Sequence, residues 1–171
     1  LMAVAVAKAL GAQPVVMVGT RANRNRMALE LGADIAIDAK SEDPVARVKE
    51  LTGGKGADYV IDCAGTGITA NQAVRMTNRG GRICLAAFPK EAVEFELGQL
   101  AVNNIYLYGI RGEGRSATHR AMALMAQKRF DATKIHTHTF PMSQLPTAIR
   151  YARDRVDDAI KVVVSNRIGQ D

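Results

Sequence analysis

The feature that most limits the fold of this chain is a regular alternation between helix-like stretches and short apolar runs rich in Val and Ile. This alternation is typical of βαβ units, which build a parallel sheet. Strands that are preceded and followed by helices are covered on both faces of the sheet. We therefore predict an α/β fold with a doubly wound, Rossmann-type parallel sheet.

Apolar periodicity, together with glycines that end helices, sets the predicted elements. The predicted helices cover residues 1–10, 24–31, 44–51, 70–76, 118–127 and 145–153. The predicted strands cover residues 14–18, 35–37, 59–61, 83–86, 105–108 and 160–164, with an extended stretch over 135–140. Gly80 and Gly81 are predicted to form the turn that leads into the strand at 83–86.

Composition narrows the class of protein. No apolar run reaches the roughly 18 residues that span a bilayer, and the apolar start lacks the flanks of a signal peptide, so we expect a cytoplasmic protein without membrane contact. The net charge is +6, but the 23 basic residues are scattered among 17 acidic ones, which indicates a solvated surface and no nucleic-acid partner. Cys63 and Cys84 each lie in an apolar run, which predicts two buried thiols.

The predicted opening helix has small residues at alternate positions, as does a helix that packs closely on a sheet after a dinucleotide-binding glycine turn. These residues are Ala3, Ala5, Ala7 and Ala9. Because a strand precedes that helix in a doubly wound fold, we expect the first strand and its G-x-G-x-x-G turn to lie upstream of Leu1. The acidic residue that binds the adenosine ribose follows this turn by roughly 20 residues, which places its counterpart at Gly19.

Gly19, Thr20 and Arg21 therefore stand where an NAD-binding protein would have a carboxylate for the ribose 2′-hydroxyl. Glycine at this position removes a repulsion against a 2′-phosphate, while the Thr20 hydroxyl and the Arg21 guanidinium can donate hydrogen bonds to it. Arg24 follows one helical turn later. The sequence favours NADP; the alternative is an ordinary turn with solvated arginines in an NAD-binding protein.

Several segments, taken in order along nearly the whole chain, resemble the medium-chain zinc-dependent alcohol dehydrogenases, especially the sorbitol and L-threonine dehydrogenase branch. The segments are residues 1–12, 27–34, 58–65 and 80–83. Residues 108–113 are similar to the family's sixth-strand turn, and residues 137–142 to the segment that returns to its catalytic domain. The Gly–Thr–Arg sequence at Gly19 resembles that of NADP-preferring alcohol dehydrogenases.

The resemblance implies a dinucleotide-binding domain over 1–134 and a return segment of the catalytic domain over 135–171. It also implies which residues line the dinucleotide cleft, where small residues let the cofactor approach the strand ends. These are Ala64, Gly65, Ala86 and Ala87, with Ile110 and Arg111 near the nicotinamide end. A tight turn that merely needs small residues is the alternative interpretation.

The family's zinc ligands and proton-relay residues lie mostly in an N-terminal catalytic domain, so we assign no catalytic or metal residue here and expect this chain to be inactive alone. The intact enzyme would use NADP, or alternatively NAD, to move hydride between the nicotinamide and a secondary alcohol or ketone, with zinc as a Lewis acid. The resemblance further implies a homo-oligomer formed through the nucleotide-binding domain, often by pairing of the strand near 105–108.

Two other functions stay open at this point. A zinc-free quinone or enoyl reductase shares the nucleotide-binding fold and would lack the cysteine and acidic ligands in its N-terminal sequence. A non-catalytic nucleotide-sensing module would not need a return segment. Two histidines, His136 and His138, would point to one face of a strand, but no Cys or acidic partner accompanies them, and zinc sites need three or four ligands.

Overall fold

The structure is a computed structural model that describes residues 1–112 and 114–166. Its helices are Met2–Ala9 (α1), Ala22–Glu30 (α2), Pro44–Leu51 (α3), Gly67–Met76 (α4), Leu97–Val102 (α5), Gly114–Ala126 (α6) and Leu145–Asp154 (α7). Its strands are Val16–Gly19 (β1), Ile35–Asp38 (β2), Ala57–Asp62 (β3), Thr77–Leu85 (β4), Tyr106–Gly109 (β5), His136–Pro141 (β6) and Lys161–Ser165 (β7). Glu113 and residues 167–171, which belong to segments predicted above, lie outside the described residues.

The strands form parallel ladders, which confirms the predicted α/β class. β4 is the central strand of a sheet ordered β3–β4–β5, and it pairs with both neighbours in parallel. β6 and β7 form a parallel pair of their own, and β1 pairs with β2. The last block of the chain therefore makes a separate ladder among the described residues.

The chain divides into two compact units. The discontinuous unit consists of Leu1–Ala36 and Arg120–Asp171, and the continuous unit consists of Ile37–His119. The predicted domain boundary between residues 134 and 135 stays a prediction.

Small residues dominate the core of the discontinuous unit. Ala28 of α2 is fully buried, and Ala5 and Ala9 of the predicted alanine pattern in α1 are 1% and 6% exposed, whereas Ala3 and Ala7 are half-buried. The carboxylate of Asp34 joins three segments, because Oδ1 accepts a hydrogen bond from Lys8 Nζ at 2.6 Å and Oδ2 accepts one from Val15 N at 2.7 Å. The end of α1 and the start of β1 are thereby fixed to the residues before β2.

The continuous unit is built around β4. Ile83 of this strand is fully buried and packs with Ala73 and Val74 of α4 and with Ile105. α4 begins in a capping box, in which Thr66 Oγ1 accepts from Thr69 N and Thr69 Oγ1 accepts from Thr66 N. The buried strand and the capped helix hold the carboxyl ends of β3 and β4 in place.

Two local expectations differ from the structure. The predicted turn at Gly80 and Gly81 lies inside β4, where the β3 ladder shifts between the pair Ala57–Thr77 and the pair Tyr59–Arg82. The turn is thus accommodated as an irregularity of the strand, with Gly80 at φ +77°. Cys84 is buried as expected, but Cys63 is exposed because it follows the last residue of β3 and leaves the sheet.

Candidate functional site

The predicted cofactor residues fall into two groups, one in each unit. In the discontinuous unit, Gly19 is the last residue of β1, Thr20 is exposed, and Arg21 is the N-cap residue of α2 with extended backbone. No side chain caps this end of α2, and its first turn contains no acidic residue. The positive end of the helix dipole and the charge of Arg21 therefore lie together, which favours an anion.

The electrostatics of this first group come from arginine. Partial burial lowers the pKa of Arg21, and the charges of Arg24 and Arg155 lower it further. Burial and the charge of Arg155 also lower the pKa of Arg24. The Nε of Arg24 is buried and has no hydrogen-bond partner among the described residues. A negatively charged ligand would offset this repulsion and could accept a hydrogen bond from Nε.

Gly19 is sterically matched to its place. A Cβ atom at this position would clash with Oδ1 of Asn25, a residue of α2 that is only 9% exposed. A side chain at position 19, including the carboxylate that NAD-binding proteins place there, would require Asn25 to move. The local packing thus fits the absence of an acidic residue.

In the continuous unit, Asp62 organises the second group. This buried residue accepts hydrogen bonds at Oδ1 from Ala64 N at 2.9 Å and from Gly65 N at 3.4 Å. Its backbone oxygen accepts from Ala86 N at 2.9 Å and from Ala87 N at 3.2 Å. The structure therefore brings together Ala64, Gly65, Ala86 and Ala87, as predicted, around one aspartate.

The hydrogen-bonding role of Asp62 was not predicted from the sequence. Its Oδ2 also accepts a hydrogen bond from Thr69 Oγ1 at 3.2 Å, so the same carboxylate fixes the start of α4. The available signal was an aspartate at the end of an apolar strand, directly before small residues that need a fixed backbone. Such an aspartate can bind the N–H groups of the following turn.

Gly65 makes close approach between the two strand ends possible. It has φ +68°, which favours glycine, and a Cβ atom there would lie 2.8 Å from Phe88 N and 3.0 Å from Ala87 Cβ. Ile110 is placed beside them, because its N–H donates to Leu85 O at 3.1 Å. The Arg111 guanidinium lies 5.9 Å from the centre of the Phe88 ring. This second group therefore forms one surface at the carboxyl ends of β3, β4 and β5.

The histidine pair has local partners instead of metal-ligand companions. His136 Nε2 lies 2.7 Å from Thr139 Oγ1, and the His138 ring lies 5.2 Å from that of Tyr151. Across residues 1–112 and 114–166, no group of three or more His, Cys, Asp or Glu side chains could hold a metal ion. In the same residues, no helix is long and apolar enough to cross a bilayer.

A shallow cavity of about 320 Å³ lies elsewhere in the discontinuous unit. Its basic residues are already engaged: Lys8 pairs with Asp34, Arg129 donates to Ala9 O, and Lys134 donates to Glu30 O. The predicted residues Gly19, Thr20, Arg21 and Arg24 do not line it. The cavity is therefore not the candidate dinucleotide site.

The fold is that of a Rossmann-type α/β protein, with parallel strands flanked by helices. The chain belongs to the zinc-binding dehydrogenase family, since the family model described as "Zinc-binding dehydrogenase" matches residues 1–127. This membership confirms the resemblance seen in the sequence.

Individual relatives agree with the family assignment. The chain is 32% identical over 155 residues to an L-threonine 3-dehydrogenase of Bacillus subtilis, a match that covers 90% of this chain and 45% of that protein. The alcohol dehydrogenase TADH from Thermus sp. ATN1 superposes with a TM-score of 0.87 at 29% identity, covering 94% of this chain and 46% of the other. A putative zinc-binding dehydrogenase from Sinorhizobium meliloti 1021, bound to NADP, gives a TM-score of 0.78 at 26% identity, covering 85% and 44%. The chain thus spans about half the length of the relatives it matches.

Proposed function

We propose that this chain is the cofactor-binding part of an alcohol or polyol dehydrogenase that prefers NADP. The observation that carries the proposal is the turn between β1 and α2, where Arg21 and Arg24 supply positive charge and glycine occupies the position predicted for a ribose-binding carboxylate. The adenosine ribose would lie at Gly19, with its 2′-phosphate accepting hydrogen bonds from Thr20 and Arg21.

The second group would contribute to dinucleotide binding through its own backbone surface. Ala64, Gly65, Ala86 and Ala87 offer a backbone surface with little side-chain bulk, which allows a ligand to approach closely. Ile110 and Arg111 would lie near the nicotinamide. The NADP-bound neighbour from Sinorhizobium meliloti adds support for NADP, because its fold matches this chain over 85% of its length.

In the proposed reaction, NADP accepts hydride at C4 of the nicotinamide from a secondary alcohol, or returns it to a ketone from the reduced form. The contribution of this chain is to bind and orient the cofactor. We propose, from the family resemblance, that zinc is bound in the intact enzyme by residues outside this chain and would act there as a Lewis acid. A cytoplasmic location and the lack of nucleic-acid partners stay predictions from composition.

Association through β5 is part of the proposal. β5 lies at the edge of the β3–β4–β5 sheet, and Tyr106 and Tyr108 on it are 65% and 40% exposed. An edge strand with exposed aromatic side chains is suited to pairing with a second copy of itself. Light scattering of the full-length protein should give a dimer or a larger even-numbered assembly, and a strictly monomeric mass would contradict this.

The test is a titration of the full-length protein with NADPH and NADH. We expect NADPH to bind more tightly, and the Arg21→Ala variant to weaken NADPH binding by about tenfold or more without changing NADH binding. Arg26→Ala is the matched control, because Arg26 lies on the same helix, is exposed, and carries the same charge. Tighter NADH binding would overturn the NADP preference, and binding of neither nucleotide would overturn the dehydrogenase function.

A further inference from the structure

We propose that Arg155 is a third guanidinium that recognises the 2′-phosphate of NADP, from a segment far from the β1–α2 turn in sequence. This inference rests on the proposed function, because it extends the same phosphate site. It assigns a specificity role to a residue that the sequence pattern did not single out.

Backbone and side-chain contacts bring this segment to α2. Arg155 follows α7 and precedes the short 3-10 helix Val156–Asp158. Asn23, in the first turn of α2, donates a hydrogen bond from Nδ2 to Asp158 O at 3.2 Å, although the two residues are 135 positions apart. The hydrogen bond fixes the residues after α7 beside the end of α2 that carries Arg21 and Arg24.

The charges of the cluster support an anion site. Burial is the main cause that lowers the pKa of both Arg21 and Arg24, and the charge of Arg155 lowers both pKa values further. The three guanidinium groups therefore lie close enough to repel one another. Among the described residues, none of these three side chains forms a salt bridge. A phosphate monoester with close to two negative charges would offset this repulsion and accept several N–H donors.

Two acidic neighbours of Arg155 have hydrogen-bond partners of their own. The carboxylate of Asp154 accepts two hydrogen bonds from Arg153, at 2.7 and 2.8 Å. The Oδ2 of Asp157 accepts a hydrogen bond from the Tyr151 hydroxyl at 2.9 Å. Among the described residues, no carboxylate forms a salt bridge with Arg155, so its guanidinium can bind an anion.

The backbone of the segment is also unusual. Arg155, Asp157 and Asp158 have φ values of 59°, 50° and 60°, a conformation that L-residues other than Asn, Asp and Gly adopt rarely. Backbone held in such conformations is concentrated at ligand-binding sites. An exposed arginine held in this way, beside two other arginines, is consistent with a role in binding.

The test compares NADPH and NADH binding to the full-length Arg155→Ala protein. We expect the Kd for NADPH to rise about tenfold while the Kd for NADH is unchanged, because NADH lacks the 2′-phosphate. Adenosine 2′,5′-bisphosphate should lose affinity by a similar factor. Arg26→Ala removes the same charge from an exposed position of α2 that forms no salt bridge among the described residues, and it should leave both affinities unchanged.

Three results would overturn the inference. An unchanged NADPH affinity would show that Arg155 does not contact the phosphate, and an equal loss for NADPH and NADH would assign it to the pyrophosphate instead. The Arg155→Asn variant controls for misfolding, because Asn tolerates the left-handed conformation of this residue. The third result would be an unchanged NADPH affinity in Arg155→Asn. If Arg21→Ala loses NADPH affinity and Arg155→Ala does not, only this inference fails, whereas a parent protein that prefers NADH refutes the proposed function as well.

Discussion

The two groups of candidate cofactor residues use different physical means. The group in the discontinuous unit acts through charged side chains around Gly19, and it contains arginines with no salt bridge among the described residues. The group in the continuous unit acts through backbone, small residues and the hydrogen bonds of Asp62. Under the proposed function, the first group would select the nucleotide and the second would allow any dinucleotide to approach, so substitutions in the two groups should have separable effects.

The largest expected effect on this contrast comes from Gly19→Asp. The new carboxylate would repel the 2′-phosphate of NADPH and accept a hydrogen bond from the 2′-hydroxyl of NADH. The affinity for NADPH divided by the affinity for NADH should therefore fall by about a hundredfold. Isothermal titration of the variant with both nucleotides measures the ratio. Gly19→Ala is the matched control, because it tests the clash with Asn25 without adding charge. An unchanged ratio in the aspartate variant would contradict the assignment of Gly19.

The second prediction concerns the backbone group. Gly65→Ala would place a Cβ atom against Phe88 at a position with φ +68°, and we expect it to reduce the free energy of unfolding by about 2 kcal/mol or more. NADPH and NADH binding should weaken by the same factor, because the change does not touch the 2′ position. Urea unfolding and titration measure the two effects.

Gly98→Ala is the control for this prediction. Gly98 lies in α5 with no atom within 4 Å of an added Cβ, so its replacement should not destabilise the protein. A change in nucleotide preference in Gly65→Ala would remove the distinction between the two groups.

The smallest effect on nucleotide binding is expected from replacement of Asp34, which fixes the start of β1 and does not contact Gly19, Thr20, Arg21 or Arg24. Its hydrogen bond with Lys8, and then that with Val15 N, hold the pKa of Asp34 below its ordinary value of 3.8. A lowered folded-state pKa stabilises the protein above the unfolded value, and this contribution is lost as pH falls through the folded-state pKa. Asp34→Asn should therefore lower Tm by a few degrees at neutral pH and by less below about pH 3, with nucleotide preference unchanged.

Glu91→Gln provides the comparison for the Asp34 experiment, because Glu91 is exposed and its replacement changes the net charge equally. Thermal melts of both variants across the acidic pH range would separate the specific loss of the Asp34 hydrogen bonds from the general effect of removing one negative charge. A Tm difference for Asp34→Asn that stays constant down to the lowest pH would show that the contribution does not come from ionisation.

Local patterns were sufficient to predict much of this molecule. The Gly19–Thr20–Arg21 turn was predicted because a strand, a turn and a helix follow one another within a few residues. The placement of residues 155–158 beside α2 was not, because it depends on a hydrogen bond between Asn23 and Asp158, which are 135 positions apart. The short helix α5 has too little apolar periodicity to be recognised, and Cys63 was wrongly predicted as buried because an apolar run does not show where its strand ends.

The discontinuous unit has a consequence for synthesis of the protein. Residues 37–119 form a compact unit that is complete in one stretch of chain, whereas the unit that contains the arginine cluster needs residues 120 and beyond. Because the ribosome synthesises the chain from the N-terminus to the C-terminus, the continuous unit can fold before the residues that pack against α1, β1 and α2 have been synthesised. Under the proposed function, the residues that discriminate between nucleotides would therefore fold last, after the backbone surface of the continuous unit has formed.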